Sequence, residues 1–366
     1  MARANVMKFS IIILSYNMER EIPRTIFSVS PYYQKFSSDD YEIILVQNGG
    51  NIIEESFLKP IAPNLRSLVP DNIKASPCYA INYAASKAKG ENLIICIDGA
   101  RIWSKGILVS FANHLNSNSD AVLTVPAYHL GWDKQAISAN QGYNQEIEDR
   151  ILEKIGWPSK DSNLYEISSP AGSNRGPNAI QAESNCISIP KDLFNKIGGY
   201  DERLSLPGGG FCNPEFFKRV VESKSRIIQI ETEGTFHQIH GGKSTNNEDP
   251  AAWVQKGKDE ATEICNFNSD YTTSINPNYY FVFEGNRFKH YNYINRIAKR
   301  RNFYLREIKK DKITFTTKYF ILKNISSITN GLQNYESGRI LRKKIRIFLE
   351  KLGLRRLVKF FVNNGL

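Results

Sequence analysis

Three apolar runs in the first hundred residues constrain the fold more than any other feature of this sequence. Each run is short, is rich in Ile or Val and ends in small or polar residues; they cover 9–17, 41–50 and 92–100. Runs of this kind are typical of neighbouring buried strands in a parallel sheet, and ligands bind outside the carboxyl ends of such strands. The predicted binding edge contains Asn17, Gln47, Asn48 and Asp98.

The segments between these runs have the signals of helices. Residues 19–30 carry helical spacing with Pro23 in the first turn, and residues 76–90 open on Ser-Pro and close on Gly. The order strand, helix, strand, helix, strand implies right-handed crossovers between parallel strands. We therefore predict an α/β fold of ordinary domain size with extensions.

Cysteine usage and hydropathy narrow the class of protein. The five cysteines form no C-x-x-C pair, which argues against a disulfide framework and against a zinc site and favours a reducing, intracellular setting. The longest uninterrupted apolar run near the N-terminus is 11–14, too short for a signal-peptide core, and nothing approaches the roughly 20 apolar residues of a membrane span. We expect a chain that does not cross a bilayer.

The excess of positive over negative charge lies at the C-terminal end of the chain. Residues 1–286 hold 27 Lys and Arg against 33 Asp and Glu, a net charge of −6, whereas residues 287–366 hold 21 against 4, a net charge of +17. This asymmetry indicates an acidic globular body with a basic appendage, and such appendages bind phosphates of nucleic acid or of a membrane surface.

Several motifs, in order along the chain, resemble those of family 2 glycosyltransferases. The nucleotide-binding half of that family is similar to four stretches of this sequence: 12–17, 42–49, 80–91 and 94–100. Its acceptor-side motif resembles 195–203, 207–210 and 213–219, and a late histidine motif resembles 234–242.

The resemblance implies the A-type glycosyltransferase fold, in which a Rossmann-like nucleotide-binding sheet merges with an acceptor-binding region. On this interpretation residues 1–125 bind the nucleotide-sugar, residues 126–286 bind the acceptor and carry catalysis, and residues 287–366 are a basic helical extension. The implied activity moves a sugar from a nucleotide-sugar, expected to be a UDP-sugar, to a hydroxyl of a growing lipid-linked bacterial surface polysaccharide such as capsule or O-antigen. Inversion at the sugar carbon is expected.

The donor diphosphate requires positive charge, which a divalent ion such as Mn²⁺ or Mg²⁺ commonly supplies. The family's Asp-x-Asp signal is incomplete here, because Asp98 is followed two residues later by Ala100. Either Asp98 contacts the ribose or the metal while His237 or His240 adds a nitrogen ligand to the ion, or Arg101 neutralises the phosphates without a metal. The structural alternative for Asp98 is an Asp-Gly turn.

Further donor contacts are expected from the rest of the matching motifs. An amide at Gln47 or Asn48 can pair with a base edge, although the pair also suits a plain turn, and Asn17 competes between a ribose contact and a helix cap. The glycines at 208–210 allow a ligand to approach the backbone closely and allow positive φ. The loop that they form can therefore border the donor sugar and donate hydrogen bonds from its backbone amides. The remaining predicted donor-binding residues are Ser15, Asn82, Gly208, Gly209 and Gly210.

An inverting transferase needs a general base, which is ordinarily a carboxylate. The family's Glu-Asp pair falls on Cys212 and Asn213, and neither side chain is a carboxylate. Glu215 is the nearest substitute, with Glu183 and Asp201 as the other candidates. The structural alternatives are a first-turn carboxylate that suits the helix dipole for Glu215 and a solvated loop for Asp201. Aromatic residues within 126–182 suit either sugar stacking or the core.

The pattern over residues 339–362 predicts a basic amphipathic helix, because this segment contains nine Lys and Arg, one Glu and a stripe of Leu, Ile and Phe. We interpret it as an element that binds an anionic membrane surface, which places the protein in the cytoplasm at the inner face of the membrane. A helix docked on the body or on a partner is the alternative. The second function class is a non-catalytic relative of the fold that binds nucleic acid or a partner; no recognised nucleic-acid module is present, so no nucleic acid is expected.

Overall fold

A computed structural model of the chain describes residues 7–159, 162–176, 178–241, 249–274 and 276–283. The predicted extension over 287–366, including the basic segment 339–362, lies outside these residues. Within the described part, no helix has both the length and the apolar composition needed to span a bilayer.

The larger of two sheets has eight strands within the described residues. In spatial order they are β12 (Tyr279–Val282), β10 (Ile227–Ile230), β6 (Val122–Thr124), β9 (Ile187–Pro190), β4 (Asn92–Cys96), β1 (Phe9–Ser15), β2 (Tyr41–Gln47) and β3 (Leu65–Leu68). The three apolar runs thus form neighbouring parallel strands, as predicted. Strands before and after residue 125 share this one sheet, and the expected division at that point stays a prediction.

Within this sheet only β9 runs against its neighbours, pairing antiparallel with both β4 and β6. The carboxyl ends of β1, β2, β4 and β6 therefore meet at one edge, and β9 begins at that same edge. Ile187, the first residue of β9, lies opposite Ile95 of β4 and Thr124 of β6. Residues just before β9 are consequently neighbours of residues just after β4.

A smaller sheet lies beyond the carboxyl end of β4. Its strand order is β5 (Arg101–Trp103), β11 (Thr235–His237), β7 (Ala127–Leu130) and β8 (Ser168–Pro170). The register pairs His237 with Arg101 on one side and with His129 on the other. Three nitrogen-bearing side chains therefore occupy one level of adjacent strands.

The helices follow the predicted alternation with strands in the first hundred residues. The described residues contain α1 (Ile22–Val29), α2 (Pro31–Gln34), α3 (Glu55–Leu58), α4 (Cys78–Lys87), α5 (Ile107–Ser117), α6 (Gln135–Asn140), α7 (Gln145–Lys154), α8 (Lys191–Lys196), α9 (Cys212–Glu222) and α10 (Pro250–Cys265). Helix α1 has a proline in its first turn, as expected from Pro23. Helices α1 and α4 lie within the two predicted segments.

The large sheet is covered on both faces. Along β1, Ile11 and Ile13 belong to one apolar cluster, whereas Ile12 and Leu14 belong to another on the opposite face. Burial on both faces explains why the strand is continuously apolar rather than alternating. Each fully buried aliphatic side chain contributes about 1.5–3 kcal/mol to folding, so this core fixes the edge that bears the polar residues. The predicted mixed α/β class is confirmed.

Candidate active site

Asp98 is held at the carboxyl edge by a tight turn between β4 and β5. Its Oδ1 accepts a hydrogen bond from the Ala100 backbone N–H at 3.0 Å. A Cβ on Gly99 would lie 2.1 Å from the carbonyl oxygen of Leu14, so only glycine fits between Asp98 and strand β1. The Asp-Gly turn suggested by the sequence is therefore present. It holds the Asp98 carboxylate at the edge of the sheet, so the turn is compatible with a functional role for Asp98.

Two histidines meet the Asp98 carboxylate. His237 Nε2 contacts Asp98 Oδ2, His240 Nε2 lies 3.7 Å from Asp98 Oδ1, and the two Nε2 atoms are 3.2 Å apart. One ligand atom from each of the three residues lies within 4.8 Å of the others. The structure thus brings together the three residues predicted to bind metal, across 139 positions of sequence.

Arg101 adds a buried positive charge behind this cluster. Its side chain is 6% exposed, and Nη2 lies 3.9 Å from Asp98 Oδ2. Within the described residues, its Nε and Nη1 atoms are buried without a hydrogen-bond partner. The guanidinium charge is therefore only partly compensated by Asp98, which makes this edge of the sheet attractive to an anion.

His129 belongs to the same group, although its imidazole was read from the sequence only as an aromatic in the acceptor region. Its ring centroid lies 5.5 Å from that of His237, and its Nδ1 accepts the Gln135 backbone N–H at 2.6 Å. That hydrogen bond places the imidazole proton on Nε2 in the neutral ring. Burial is the main reason that the pKa of His129 lies well below its ordinary value. The neighbouring His237 and Arg101 lower this pKa further.

Asp98 and His237 are in the protonation states that bind a cation, whereas Asp98 raises the pKa of His240 above its ordinary value in spite of burial. Burial alone would raise the pKa of Asp98, but His237 and His240 outweigh it and hold that pKa well below the usual range. Burial lowers the pKa of His237 to about 4 in spite of the attraction of Asp98. Near neutral pH the site therefore offers an ionised carboxylate and a neutral imidazole, the forms that bind metals.

A buried glutamate that the sequence interpretation missed fixes the histidine segment. Glu148 on α7 is fully buried, and its Oε2 accepts the backbone N–H of Ile239, between the two histidines, at 2.7 Å. Its Oε1 accepts from Arg20 at 3.2 Å, at the start of α1. Only the helical spacing of α7 was visible in the sequence, because the partners lie about 91 and 128 positions away.

The donor set fits a divalent transition metal. The carboxylate is a hard ligand and the two imidazoles are borderline ligands, and this combination suits Mn²⁺, Fe²⁺ or Zn²⁺ better than Mg²⁺, which is bound mainly by oxygen. His237 Nδ1 is buried without a partner among the described residues, which leaves Nε2, the nitrogen facing Asp98 and His240, as its ligand atom. Asp98, His237 and His240 are thus the residues that would hold the ion.

Gln47 and Asn17 hold the loop that follows β2. Gln47 Nε2 donates to the Ile53 carbonyl at 2.9 Å and to Ser67 Oγ at 2.8 Å, and its Oε1 accepts the Ile53 N–H at 2.7 Å. Asn17 Oδ1 accepts the Asn51 N–H at 2.9 Å from an exposed position with φ 51°. Both amide hydrogens of Gln47 are used within the protein, so its predicted base contact stays a prediction that this geometry does not favour.

Asn48 has a different environment. Its Nδ2 donates to the Lys74 carbonyl at 2.8 Å, whereas its Oδ1 is buried without a partner among the described residues. The next residue, Gly49, is flanked by Ile73 and Tyr16, which are 54% and 55% exposed. An exposed ring and an exposed aliphatic side chain thus lie beside a residue that has a buried, unsatisfied acceptor. Tyr16 was passed over in the sequence although it stands between Ser15 and Asn17 at the end of β1.

Ser15 and Asn82 are placed in structural contacts. Ser15 is buried, and its carbonyl accepts the Asn48 N–H at 2.9 Å, which ties the ends of β1 and β2 together. Asn82 on α4 donates to the Tyr200 carbonyl at 2.8 Å and accepts the Tyr200 N–H at 2.9 Å. These contacts position the edge loops, and direct donor contacts by either side chain stay predictions.

The glycine loop lies directly before α9, as expected. Gly208, Gly209 and Gly210 all have positive φ, at 72°, 90° and 51°. A Cβ on Gly209 would lie 2.6 Å from Cys212 Sγ, so glycine is required there on steric grounds as well. The amides of Gly208 and Gly209 donate to the carbonyls of Ala75 and Leu206 at 3.1 and 2.8 Å, so these two N–H groups are already used within the protein.

Two of the three candidate bases are locked in ion pairs. Glu215 is 5% exposed and forms a bidentate pair with Arg219, at 2.6 Å to Nε and 2.7 Å to Nη2. Asp201 is bonded by Arg203 Nη2 at 2.6 Å, and this hydrogen bond lowers the pKa of Asp201 to about 2. Glu183 instead accepts from two neutral amides, Asn185 Nδ2 at 3.2 Å and Asn213 Nδ2 at 2.9 Å.

Four aromatic residues of 126–182 are buried or half-buried and pack against other rings. Tyr143 is 2% exposed, and Trp132 packs edge-on against it at 5.2 Å between ring centroids. Tyr165 packs on Phe236 at 4.8 Å. Trp157 packs against Phe27 at 5.9 Å, beside the end of α1. These contacts are packing contacts, and the acceptor region of the sequence interpretation stays a prediction.

Comparison with known proteins identifies the class. Residues 10–171 match the family description "Glycosyl transferase family 2". TarS residues 1–349 of S. aureus in complex with UDP is similar in structure, with a TM-score of 0.42, 14% identity, and coverage of 72% of this chain and 74% of that chain. GalNAc-T7 with UDP, GalNAc and Mn²⁺ gives a TM-score of 0.44, 14% identity, and coverage of 70% and 48%. No curated protein matches the sequence.

The described residues have a mixed α/β fold, and the family match over residues 10–171 supports the transferase activity that the resemblance implied. Residues 10–171 are its family 2 glycosyltransferase domain. They include Asp98, Arg101 and Glu148, whereas His237, His240 and Glu183 lie beyond the matched residues.

Proposed function

We propose that this protein transfers a sugar, with inversion, from a UDP-sugar to a hydroxyl of a growing lipid-linked bacterial surface polysaccharide of the capsule or O-antigen type. The observation that carries the donor side is the cluster of Asp98, His237 and His240 beside the buried Arg101. A diphosphate is the group that a divalent ion and a guanidinium bind together. The departures at Ala100, Cys212 and Asn213, which suggested a non-catalytic relative, leave this cluster intact.

The metal is proposed to be Mn²⁺ held by Asp98, His237 and His240, since two imidazole ligands disfavour Mg²⁺. When bound, the ion would stabilise the negative charge that develops on the diphosphate leaving group. Arg101 adds a fixed positive charge at 3.9 Å from Asp98 Oδ2 and requires no metal for its own contribution.

Uridine is proposed to bind against the exposed side chains of Tyr16 and Ile73. The Asn48 side chain can select the base, because its Nδ2 is committed to the Lys74 carbonyl and only Oδ1 remains to accept a hydrogen bond. Uracil presents an N–H at ring position 3, whereas cytosine presents a bare acceptor nitrogen there. Stacking on an aromatic ring contributes about 1–3 kcal/mol per base.

The test is calorimetric titration of the full chain with UDP, GDP and CDP, each in Mn²⁺, in Mg²⁺ and in EDTA. UDP should bind most tightly, with Mn²⁺ exceeding Mg²⁺, and Asp98→Asn should lose the metal dependence. Tyr16→Ala should weaken UDP binding about 5-fold to 150-fold, from the stacking energy above. Tyr32→Ala is the matched control, because Tyr32 is also an exposed tyrosine, at 80%, beyond the far end of α1. Failure of every nucleotide to bind would overturn the proposal.

Association with the inner face of the membrane through residues 339–362 is proposed on charge and composition alone. Each Lys or Arg near an anionic surface contributes about 1 kcal/mol to binding. This segment contains nine basic residues and only one Glu. The full chain should sediment with phosphatidylglycerol vesicles, and a variant without residues 339–362 should not. Binding that is abolished by salt and competed by RNA would instead support the nucleic-acid alternative.

A further inference from the structure

Glu183 lies at the same edge of the sheet as Asp98, although 85 positions separate them in the sequence. It precedes β9, whose first residue, Ile187, lies opposite Ile95 of β4. Asp98 is three residues beyond Ile95, and Glu183 is four residues before Ile187, so the antiparallel register brings both segments to one level. A hydrogen bond between the hydroxyls of Ser184 and Thr124 holds the segment against β6.

The Glu183 carboxylate is oriented by neutral donors alone. Asn185 donates to Oε1 and Asn213 donates to Oε2, and the described residues contain no Lys, Arg or His ion-paired with Glu183. Glu183 is half-buried, whereas Glu215 is buried. An ion-paired carboxylate must give up its partner's attraction when it takes a proton, and this cost applies to Glu215 and Asp201 but not to Glu183.

Asn213 is itself held in one orientation. Its Oδ1 accepts from Tyr200 Oη at 3.1 Å, and its Nδ2 donates to the Ser184 carbonyl at 3.1 Å as well as to Glu183. Asn213 occupies the position where the sequence resemblance placed a carboxylate. The fold therefore brings a carboxylate from the segment before β9 to within one hydrogen bond, 2.9 Å, of that position on α9.

We propose that Glu183 is the general base of the transfer and that Asn213 and Asn185 are positioning residues for its carboxylate; this rests on the proposed function. The acceptor oxygen bonds to the anomeric carbon, and the bond from that carbon to the diphosphate oxygen breaks with its electron pair on UDP. The hydroxyl proton moves to Glu183 and is later released to solvent. General base catalysis of this kind contributes about 10²-fold to 10⁴-fold to the rate.

The test measures UDP release by the full chain from UDP-glucose, UDP-galactose, UDP-GlcNAc and UDP-GalNAc, with water as acceptor, alongside UDP affinity by calorimetry. Glu183→Gln should lower turnover about 100-fold or more and change the Kd for UDP less than threefold. Glu222→Gln is the matched control. It also replaces a glutamate by glutamine, but at a carboxylate on α9 that pairs with Lys218 and is 51% exposed. It should change neither quantity.

Two further variants separate a base from a structural residue. Azide is a nucleophile that carries no proton, so its attack needs no general base. Azide at roughly 1 M should therefore restore UDP release by Glu183→Ala and yield a glycosyl azide. The double variant Glu183→Gln with Asn213→Asp moves the carboxylate to the other side of the 2.9 Å hydrogen bond and should recover about tenfold of the lost turnover.

Turnover of Glu183→Gln within threefold of the wild type, with UDP still bound, would overturn this proposal and leave the proposed function standing. Equal losses of UDP affinity and turnover would also overturn it, since Glu183 would then support donor binding. A wild-type chain that binds no UDP would overturn the proposed function itself, and this inference with it.

Discussion

The ion pair between Glu215 and Arg219 should be a structural element of α9, and its removal should affect stability rather than chemistry. The two side chains are 6% and 25% exposed and share two hydrogen bonds, at 2.6 and 2.7 Å. A charged hydrogen-bonded partner of this kind is worth about 1.5–3 kcal/mol, so we expect Glu215→Gln to cost about 2 kcal/mol. For a domain of this size each kcal/mol lowers Tm by about 2–4 °C, which gives a decrease of about 4–8 °C.

The assay is a thermal melt of Glu215→Gln, Arg219→Gln and the double variant, with turnover measured well below the lowest Tm. The double-mutant cycle should give a coupling energy of about 1–2 kcal/mol. Lys218 and Glu222 form a matched control three residues along the same helix, at 2.8 Å but with Glu222 half exposed, and Glu222→Gln should lower Tm by less than about 2 °C. A loss of turnover above tenfold in Glu215→Gln with an unchanged Tm would refute this reasoning and restore Glu215 as the base.

Two further predictions concern other parts of the fold. Burial raises the pKa of Glu42, but hydrogen bonds from Arg66, Ser10 and the Lys89 N–H outweigh it and lower that pKa below 4.5, so its stabilisation is present above that pH and is lost as pH falls. Glu42→Gln should therefore have a lower Tm at pH 7 and a smaller further loss of Tm between about pH 5 and pH 3, and equal losses in both proteins would contradict this. Gly209→Ala should lower Tm by several degrees, because φ is 90° and the new Cβ meets Cys212 Sγ and Pro77, whereas Gly172→Ala, with open space around it, should not.

The strands and the binding edge could be predicted because their signals are local. Continuous Ile and Val runs identify strands buried on both faces, and the polar residues that end them necessarily fall at one edge when the strands are parallel. The helices α1 and α4 carried their own start and stop signals. The roles of Gln47 and Glu215 could not be read in the same way, since an amide that closes a loop and a carboxylate that pairs with arginine have the same sequence signature as functional ones.

The residues that hold the site in place were invisible for a related reason. Glu148 was one acidic residue on an amphipathic helix, and its bond to the Ile239 N–H depends on the segment after β11, 91 positions away. Tyr16 was hidden by its neighbours, because exposure of a ring at a strand end depends on how the following loop packs. Such contacts follow from tertiary structure, which periodicity and spacing do not encode.

The missing second carboxylate at position 100 has a structural reason. Ala100 is fully buried and belongs to the apolar cluster beneath the sheet, so an aspartate there would place an unpaired charge in the core at a cost of several kcal/mol. The tight turn at Gly99 fixes that direction, and Asp98 alone faces the edge. The other ligands must then come from another strand, and β11 supplies them through His237 and, three residues later, His240. Because His237 and His240 place nitrogen ligand atoms within 4.8 Å of an Asp98 oxygen, the departure at Ala100 is no evidence that this site has lost its function.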